Sequence, residues 1–483
     1  MRGEFPESWC VVPLAEVVDF NPGIDKSKFR DEDEMPFVPM PAVEAETGRI
    51  DTSARRPFGE VKSGFTAFAS GDVLFAKITP CMENGKMAVA PALPRGVGFG
   101  TTEFHVLRPT QAVITEWIYY FVSSAALRHE AQHHMTGAVG QKRVPRRYLE
   151  TKAFPLPPLN EQRRIVEKIE TLFARLDQGE AALRQTQQLL ARYRQSVLKA
   201  AVTGALTADW RAQNAHRLEH GRDLLARILQ TRRQTWQGRG KYQEPAAPDT
   251  TNLPELPEGW VWATLEQLCS LHNGDRGKNY PSKANFVANG VPFVNAGHLQ
   301  RRKINRAKLD YISEGDFELL RAGFIQKNDI LYCIRGSLGK FAISDIERGA
   351  IASSLVILRP IELRLLGYLS AYLECPFVRE EISKYDNGTA QPNLSARDLA
   401  KFVVPLPGIL EVDAIGQVVS DSLRESEIVA LHCQTELTRS AALRQSILKD
   451  AFAGKLVPQD PTDEPAADLL ARLRATSRAG RVS

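Results

Sequence analysis

The chain has 483 residues, 43% hydrophobic and 25% charged, with a formal net charge of +5 and a pI near 8.8. At roughly 100–200 residues per domain this length holds about two to four domains, and the mild basic balance permits a nucleic-acid partner without demanding one. No apolar run approaches the ~18 residues of a membrane span, the N-terminus lacks the apolar core of a signal peptide, and six scattered cysteines without a Cys-x-x-Cys read as reduced thiols of a cytoplasmic protein.

The chain opens on Pro6-Glu7-Ser8-Trp9 and a β-rich, loop-rich stretch. Short strands are predicted at Phe37-Val38-Pro39-Met40 and Asp72-Val73-Leu74-Phe75-Ala76, bounded by Gly and Pro. A helix is expected over Thr115–Met135. It contains His129-Glu130-Ala131-Gln132-His133, and His-Glu-x-x-His on a helix can hold zinc between its imidazoles with the Glu as base. The metzincin extension fails at Thr136 and Val139. An exposed polar helix end is therefore the preferred reading, and a zinc hydrolase the rival.

From Asn160 to Ala201 there is no proline and one glycine. Ile165, Ile169, Leu172, Leu176, Leu183, Leu190, Tyr193 and Val197 follow steps of four and three, the seam of a coiled coil, with Gly179 and Thr186 as weak points. About 40 helical residues make a rod of roughly 60 Å. Gly204 stands where a helix C-cap glycine belongs. A short apolar echo at Asp223–Ile228 and a linker over Gln237–Leu256 lead onward.

The whole order then returns about 250 residues later. Pro257-Glu258-Gly259-Trp260 opens it, and Pro292-Phe293-Val294-Asn295 and Asp329–Ile334 fill the strand slots. A helix is expected over Leu363–Tyr385, with Glu380, Glu381 and Lys384 where the first copy has the histidine string. A second rod over Glu411–Ala453 is less regular (Ile415, Val419, Leu423, Leu443, Ile447), is capped by Gly454, and is echoed at Asp468–Leu473. Arg108-Pro109 matches Arg359-Pro360, Pro155-Leu156-Pro157 matches Pro405-Leu406-Pro407, and Arg194–Lys199 matches Arg444–Lys449. This spacing far exceeds the ~20–50 residues of solenoid repeats, so it is a domain duplication. Two long helices at matched positions predict an antiparallel intramolecular pair.

None of the five Gly-Lys pairs completes a phosphate-binding loop, and neither a dinucleotide fingerprint nor a nucleophile elbow occurs. Basic and amide-rich loops remain, including Arg55-Arg56, Lys77, Asn84, Lys86 and Lys142-Arg143, then Arg301-Arg302-Lys303, Arg335, Lys340, Gln391 and Asn393. Arg and Lys neutralise phosphates, Arg forks onto guanine, and Asn or Gln pairs with adenine. Each alone reads as a solvated side chain; the pattern in both copies favours nucleic acid. A scaffold that binds only proteins is the other rival.

These landmarks resemble the DNA specificity subunit (HsdS) family of type I restriction-modification systems. The resemblance rests on Pro155–Gln162 with Ile165, on Leu198–Leu206 and its twin Leu448–Leu456, on Asp329-Ile330-Leu331 leading to Arg335–Lys340, and on Gly388–Leu394. It covers nearly the whole chain. Two departures stand out. Gly408-Ile409-Leu410-Glu411-Val412 replaces the family's usual Pro-Leu-x-Glu-Gln, which is expected to alter a local contact with a partner, and the first copy's Gly137–Gln141 is one residue longer than its twin.

The resemblance implies an α+β fold: two β-rich α/β target recognition domains joined by two long conserved helices paired as an antiparallel coiled coil, with pseudo-twofold duplication. The expected divisions are recognition domains at 1–158 and 256–408, helical spacers at 159–204 and 409–454, a helical and linker segment at 205–255, and a tail at 455–483. The subunit is expected to be non-catalytic and to bind no metal or cofactor. It would read a bipartite, asymmetric site in double-stranded DNA and dock two methyltransferase (HsdM-type) subunits, through which restriction-translocase (HsdR-type) subunits join. S-adenosylmethionine, ATP and Mg2+ would enter through those partners. Lys86, Lys142, Arg143, Arg335, Lys340, Gln391 and Asn393 are the expected DNA contacts, although Gly388 and Gln391 also suit a purely structural turn. A related system with a fused methyltransferase-nuclease would look the same in this chain.

Overall fold

The computed structural model describes residues 5–138, 140–236, 240–277, 280–300, 302–385 and 392–479. It divides into two compact units, residues 1–183 with 434–483, and residues 184–433. Each unit holds one β-rich module, half of each long helix, and one of the short echo helices, Ala466–Ala479 in the first and Gly221–Gln234 in the second.

In the first unit a four-stranded antiparallel sheet runs Val18–Phe20, Phe104–Pro109, Val73–Ala76, Met87–Val89. A second sheet runs Arg55–Pro57, Glu34–Val38, Val97–Gly100, Thr66–Ala69, and its central pair is parallel, with Phe37 opposite Phe99. The second unit repeats the first sheet as Cys269–Asn273, Leu355–Pro360, Ile330–Cys333, Phe341–Ile343. It also repeats the parallel pair, as Val291–Val294 beside Gly349–Ile351. Val73-Leu74-Phe75-Ala76 is apolar throughout because alternate side chains enter different cores: Val73 and Phe75 face one cluster, Leu74 and Ala76 another. Ile330 and Tyr332, then Leu331 and Cys333, divide in the same way.

Two recurring phrases of the sequence meet in space. Asp72, 1% exposed, takes Arg108 Nε and Nη2 at 2.8 Å each and the Ala69 amide at 2.7 Å. Asp329, also 1% exposed, takes Arg359 Nε at 2.7 Å, Nη2 at 2.8 Å and the Gln326 amide at 2.7 Å. A planar guanidinium matches a carboxylate through two parallel bonds, so these forks fix each strand to its neighbour.

The helix expected over Thr115–Met135 is two helices, Thr115–Ser123 and Ala125–His133, separated by an extended Ser124 whose hydroxyl caps the Leu127 amide at 3.3 Å. Likewise Leu363–Tyr385 resolves into Leu366–Glu374 and Pro376–Tyr385. Proline disfavours helical geometry in the residue before it, and Cys375 is extended.

Both long helices contain 44 residues, Leu159–Val202 and Ile409–Phe452. Their cross-links establish the antiparallel sense. In the first unit Arg444 reaches Asp177 at 2.5 Å and Glu180 at 3.2 Å, and in the second Arg194 reaches Glu427 at 3.4 Å. Gly204 and Gly454 end the helices with φ of 74° and 70°. Ile165, Ile169 and Val197 are buried, and Leu172, Leu176, Leu183 and Leu190 half-buried. Tyr193 departs from the expected seam at 49% exposure, and its counterpart Leu443 does the same at 47%. In both helices it is the next residue, Arg194 or Arg444, that meets a carboxylate on the facing helix, so the inward row passes one residue beyond the expected seam position.

The repeated tryptophan marks where each module meets a long helix. In the second unit Glu411 accepts from Trp260 Nε1 at 2.9 Å, Thr207 Oγ1 at 2.7 Å and Arg211 Nε at 2.9 Å. In the first, Glu161 accepts from Gln459 Nε2 at 2.5 Å, Arg164 pairs with Asp463 at 2.6 Å, and burial pushes the Glu161 carboxyl up. Gln162 bonds the Ala112 and Pro157 carbonyls, whereas its counterpart Val412 sits in the apolar core. Within the Gly408–Val412 segment this substitution therefore exchanges a pair of main-chain hydrogen bonds for apolar packing inside the module.

Candidate nucleic-acid interface

Both modules build the same corner. Strand Val73–Ala76 leads through residues 77–85 into Met87–Val89, and the Ala76 amide bonds the Lys86 carbonyl at 3.2 Å to close the loop. Strand Ile330–Cys333 leads through residues 334–339 into Phe341–Ile343, closed by the Cys333 amide on the Lys340 carbonyl at 2.8 Å. Glycine precedes each lysine in the left-handed region, Gly85 at φ 68° and Gly339 at φ 81°.

The start of each loop pairs with the segment that enters the next short helix. The Thr79 amide bonds the Lys142 carbonyl at 2.9 Å and the Val144 amide the Lys77 carbonyl at 2.8 Å. In the second module the Gly336 amide bonds Pro392 at 3.0 Å and the Leu394 amide bonds Ile334 at 3.0 Å. Residues far apart in sequence thus share one ledge: Lys142 and Arg143 beside 77–79, and Asn393 beside Arg335.

Lys142, Arg335 and Asn393 are exposed there, and Arg335 makes no ion pair among the described residues. Arg143 is half-buried and already committed. Its Nε and Nη2 fork onto Glu103 at 2.9 and 2.7 Å, and this guanidinium holds the Glu103 carboxyl below its usual range. Lys86 and Lys340 do not project freely. Lys86 Nζ donates to the Met40 carbonyl at 3.1 Å and Lys340 Nζ to the Ala296 carbonyl at 2.9 Å. Gln391 lies outside the described residues, as do Gly388 and Arg301.

Sequence reasoning missed Glu103 and His105. Buried His105 approaches the Val144 carbonyl through Nε2 at 2.9 Å, Nδ1 has no partner, and burial holds its pKa low. A signal for Glu103 existed: Arg143 and Glu103 correspond to Asn393 and Ser354, so both members of the pair change together between copies. Arg56 lies 4.1 Å over the Phe37 ring, which orients a guanidinium that spacing alone left as a loop side chain.

In the second unit, Glu374 gathers Arg194 at 2.5 Å and Arg302 at 2.6 Å beside a cleft of about 1030 Å³. Gly367, Ser370 and Gly416 line this cleft where the first copy has the larger Glu116, Tyr119 and Val166. The histidine string of the first module is otherwise engaged. Glu130 pairs with Lys152 at 2.5 Å, His133 Nδ1 lies 2.7 Å from the His129 carbonyl, and the two rings stack at 4.9 Å. Among the described residues no group of three His, Cys, Asp or Glu could hold a metal ion, and no helix is long and apolar enough to cross a membrane.

Two modules of one design, with different side chains on the same ledge and two matched helices, define a duplicated recognition protein. The family model described as type I restriction modification DNA specificity domain matches residues 6–185 and again 257–437. The chain belongs to the type I restriction-modification DNA specificity subunit family. It is 33% identical to the type I restriction enzyme EcoAI specificity subunit of Escherichia coli over 92% of this chain and 83% of that one. To the EcoEI specificity subunit of Escherichia coli it is 30% identical, over 84% and 76%. The crystal structure of the HsdS subunit from Thermoanaerobacter tengcongensis aligns over 93% of this chain and 98% of that one, at 21% identity and a TM-score of 0.54. A chain from a study of complex assembly and conformational transition of the type I R-M system aligns over 93% and 99%, at 21% identity and a TM-score of 0.65. The chain is thus a non-catalytic specificity subunit with two target recognition domains that works with other subunits.

Proposed function

We propose that each module reads one half of a split, asymmetric site in double-stranded DNA through the ledge described above. The observation that carries this reading is the corner itself, built twice on the same backbone bonds while its exposed side chains differ. Lys142 and Arg143 with residues 77–85 would face one half-site. Arg335, Gln391 and Asn393 would face the other, with Arg suited to guanine and the amides to adenine. Lys86 and Lys340 would act at the bases of these loops. The division at 1–158 and 256–408 gives the recognition domains their working bounds.

The paired helices would serve as spacer and as dock for two methyltransferase subunits, with restriction-translocase subunits joining through them in the cytoplasm. Leu410, Val418, Ile428 and Val429 are exposed apolar side chains on the second long helix and favour such a partner. S-adenosylmethionine, ATP and Mg2+ would be used by those partners. Removing one heptad from both helices should shorten the unread gap by about 10 Å, roughly three base pairs.

Co-expression with a cognate methyltransferase subunit, followed by genome-wide mapping of adenine methylation, tests the proposal. Two short specific halves around a fixed gap are expected. A folded, assembled complex that produces an unsplit motif or no methylation would refute it.

A further inference from the structure

We propose that Lys86 and Lys340 are positioning residues that clamp an exchangeable reading loop onto a constant base. This rests on the DNA-reading role proposed above. The two lysines occupy one structural position in two modules that otherwise diverge. Each follows a left-handed glycine, and each carbonyl closes its hairpin by accepting the last amide of the preceding strand. Each ammonium crosses to the neighbouring sheet and bonds a carbonyl just beyond a strand of the parallel pair: Met40 after Glu34–Val38, and Ala296 after Val291–Val294.

What the clamp holds is free to change. The loops span 77–85 in one module and 334–339 in the other, and they carry Lys77 and Asn84 against Arg335 and Ser337. A long aliphatic stem with a polar end suits this task, because both lysines are half-buried and the ammonium reaches a main-chain acceptor present whatever the loop sequence. Loop length and sequence can therefore vary without moving the ledge on which residues 142–144 or 392–394 rest.

The test uses the full chain assembled with its methyltransferase subunit and reads the methylated motif, together with DNA affinity across a salt series. Lys86→Met should leave the second half-site and the gap unchanged and relax base choice in the first half-site. Discrimination there should fall on the order of tenfold, the loss expected for one charge-assisted hydrogen bond. The salt dependence should not change. Lys86→Arg, which can still donate to Met40, should retain most of the discrimination, and Lys340→Met should relax the second half-site instead.

The proposal is overturned if Lys86→Met weakens binding evenly across sequences and lowers the salt slope by about one, the signature of a lost phosphate contact. An unchanged motif at full methylation also overturns it. If Lys86→Met does not assemble, Lys340→Met decides by the same criteria. A wild-type complex without a split motif would instead refute the DNA-reading proposal itself, before any variant is compared.

Discussion

Removing Arg108 should cost more than removing both members of its ion pair. Asp72 is 1% exposed and Arg108 30%, so the two ends are not equivalent. Arg108→Met leaves a buried carboxylate with only the Ala69 amide, and uncompensated buried charge costs about 3–5 kcal/mol. Asp72→Asn strands a guanidinium that still reaches water, so about 2 kcal/mol is expected after allowing for its partial hydration. The double variant restores neutrality and should recover at least 1 kcal/mol relative to Arg108→Met. The chain has two units, so one global unfolding curve does not isolate the effect. Hydrogen exchange does: amides of 73–76 and 104–109 should lose protection, while the matching strands 330–333 and 355–360 serve as the internal control. Simple additivity of the two substitutions, or equal loss in both modules, would refute the reasoning.

Burial holds His105, His272 and His298 below the ordinary histidine range, so each folded site resists a proton that the unfolded chain accepts. Stability should be full above pH ~6.5 and fall as pH drops below it, by up to about 1.4 kcal/mol per pH unit from His105, and His105→Gln should flatten that slope in denaturant titrations. Tyr193→Ser and Leu443→Ser should change stability by less than about 0.5 kcal/mol, against about 2–5 kcal/mol for Leu198→Ala, as thermal unfolding would reveal. Glu103→Ala frees Arg143; the salt dependence of DNA binding should steepen by up to about one unit, with the second half-site unchanged in methylation maps.

The duplication, the two helices, their glycine caps and the alternation of strands and loops were all legible in the sequence, because each is a local or periodic signal. A heptad step, a left-handed cap and an apolar strand impose the same chemistry wherever they occur. The seam departs at Tyr193 and Leu443, where the residue one further on is an arginine paired with a carboxylate across the interface, and that pairing has no trace in the spacing of one helix. The single helix expected over Thr115–Met135 failed because one serine capped a new start.

The ledge was the least legible. Arg143 and Lys86 have the residue type of a DNA contact, and only their neighbours separate their uses: Glu103 is 40 positions from Arg143, and Met40 is 46 from Lys86. Composition and period state what a side chain can do. Which partner it meets depends on strand order and on the parallel crossing of the second sheet, and those are set by packing of the whole module rather than by any segment of it.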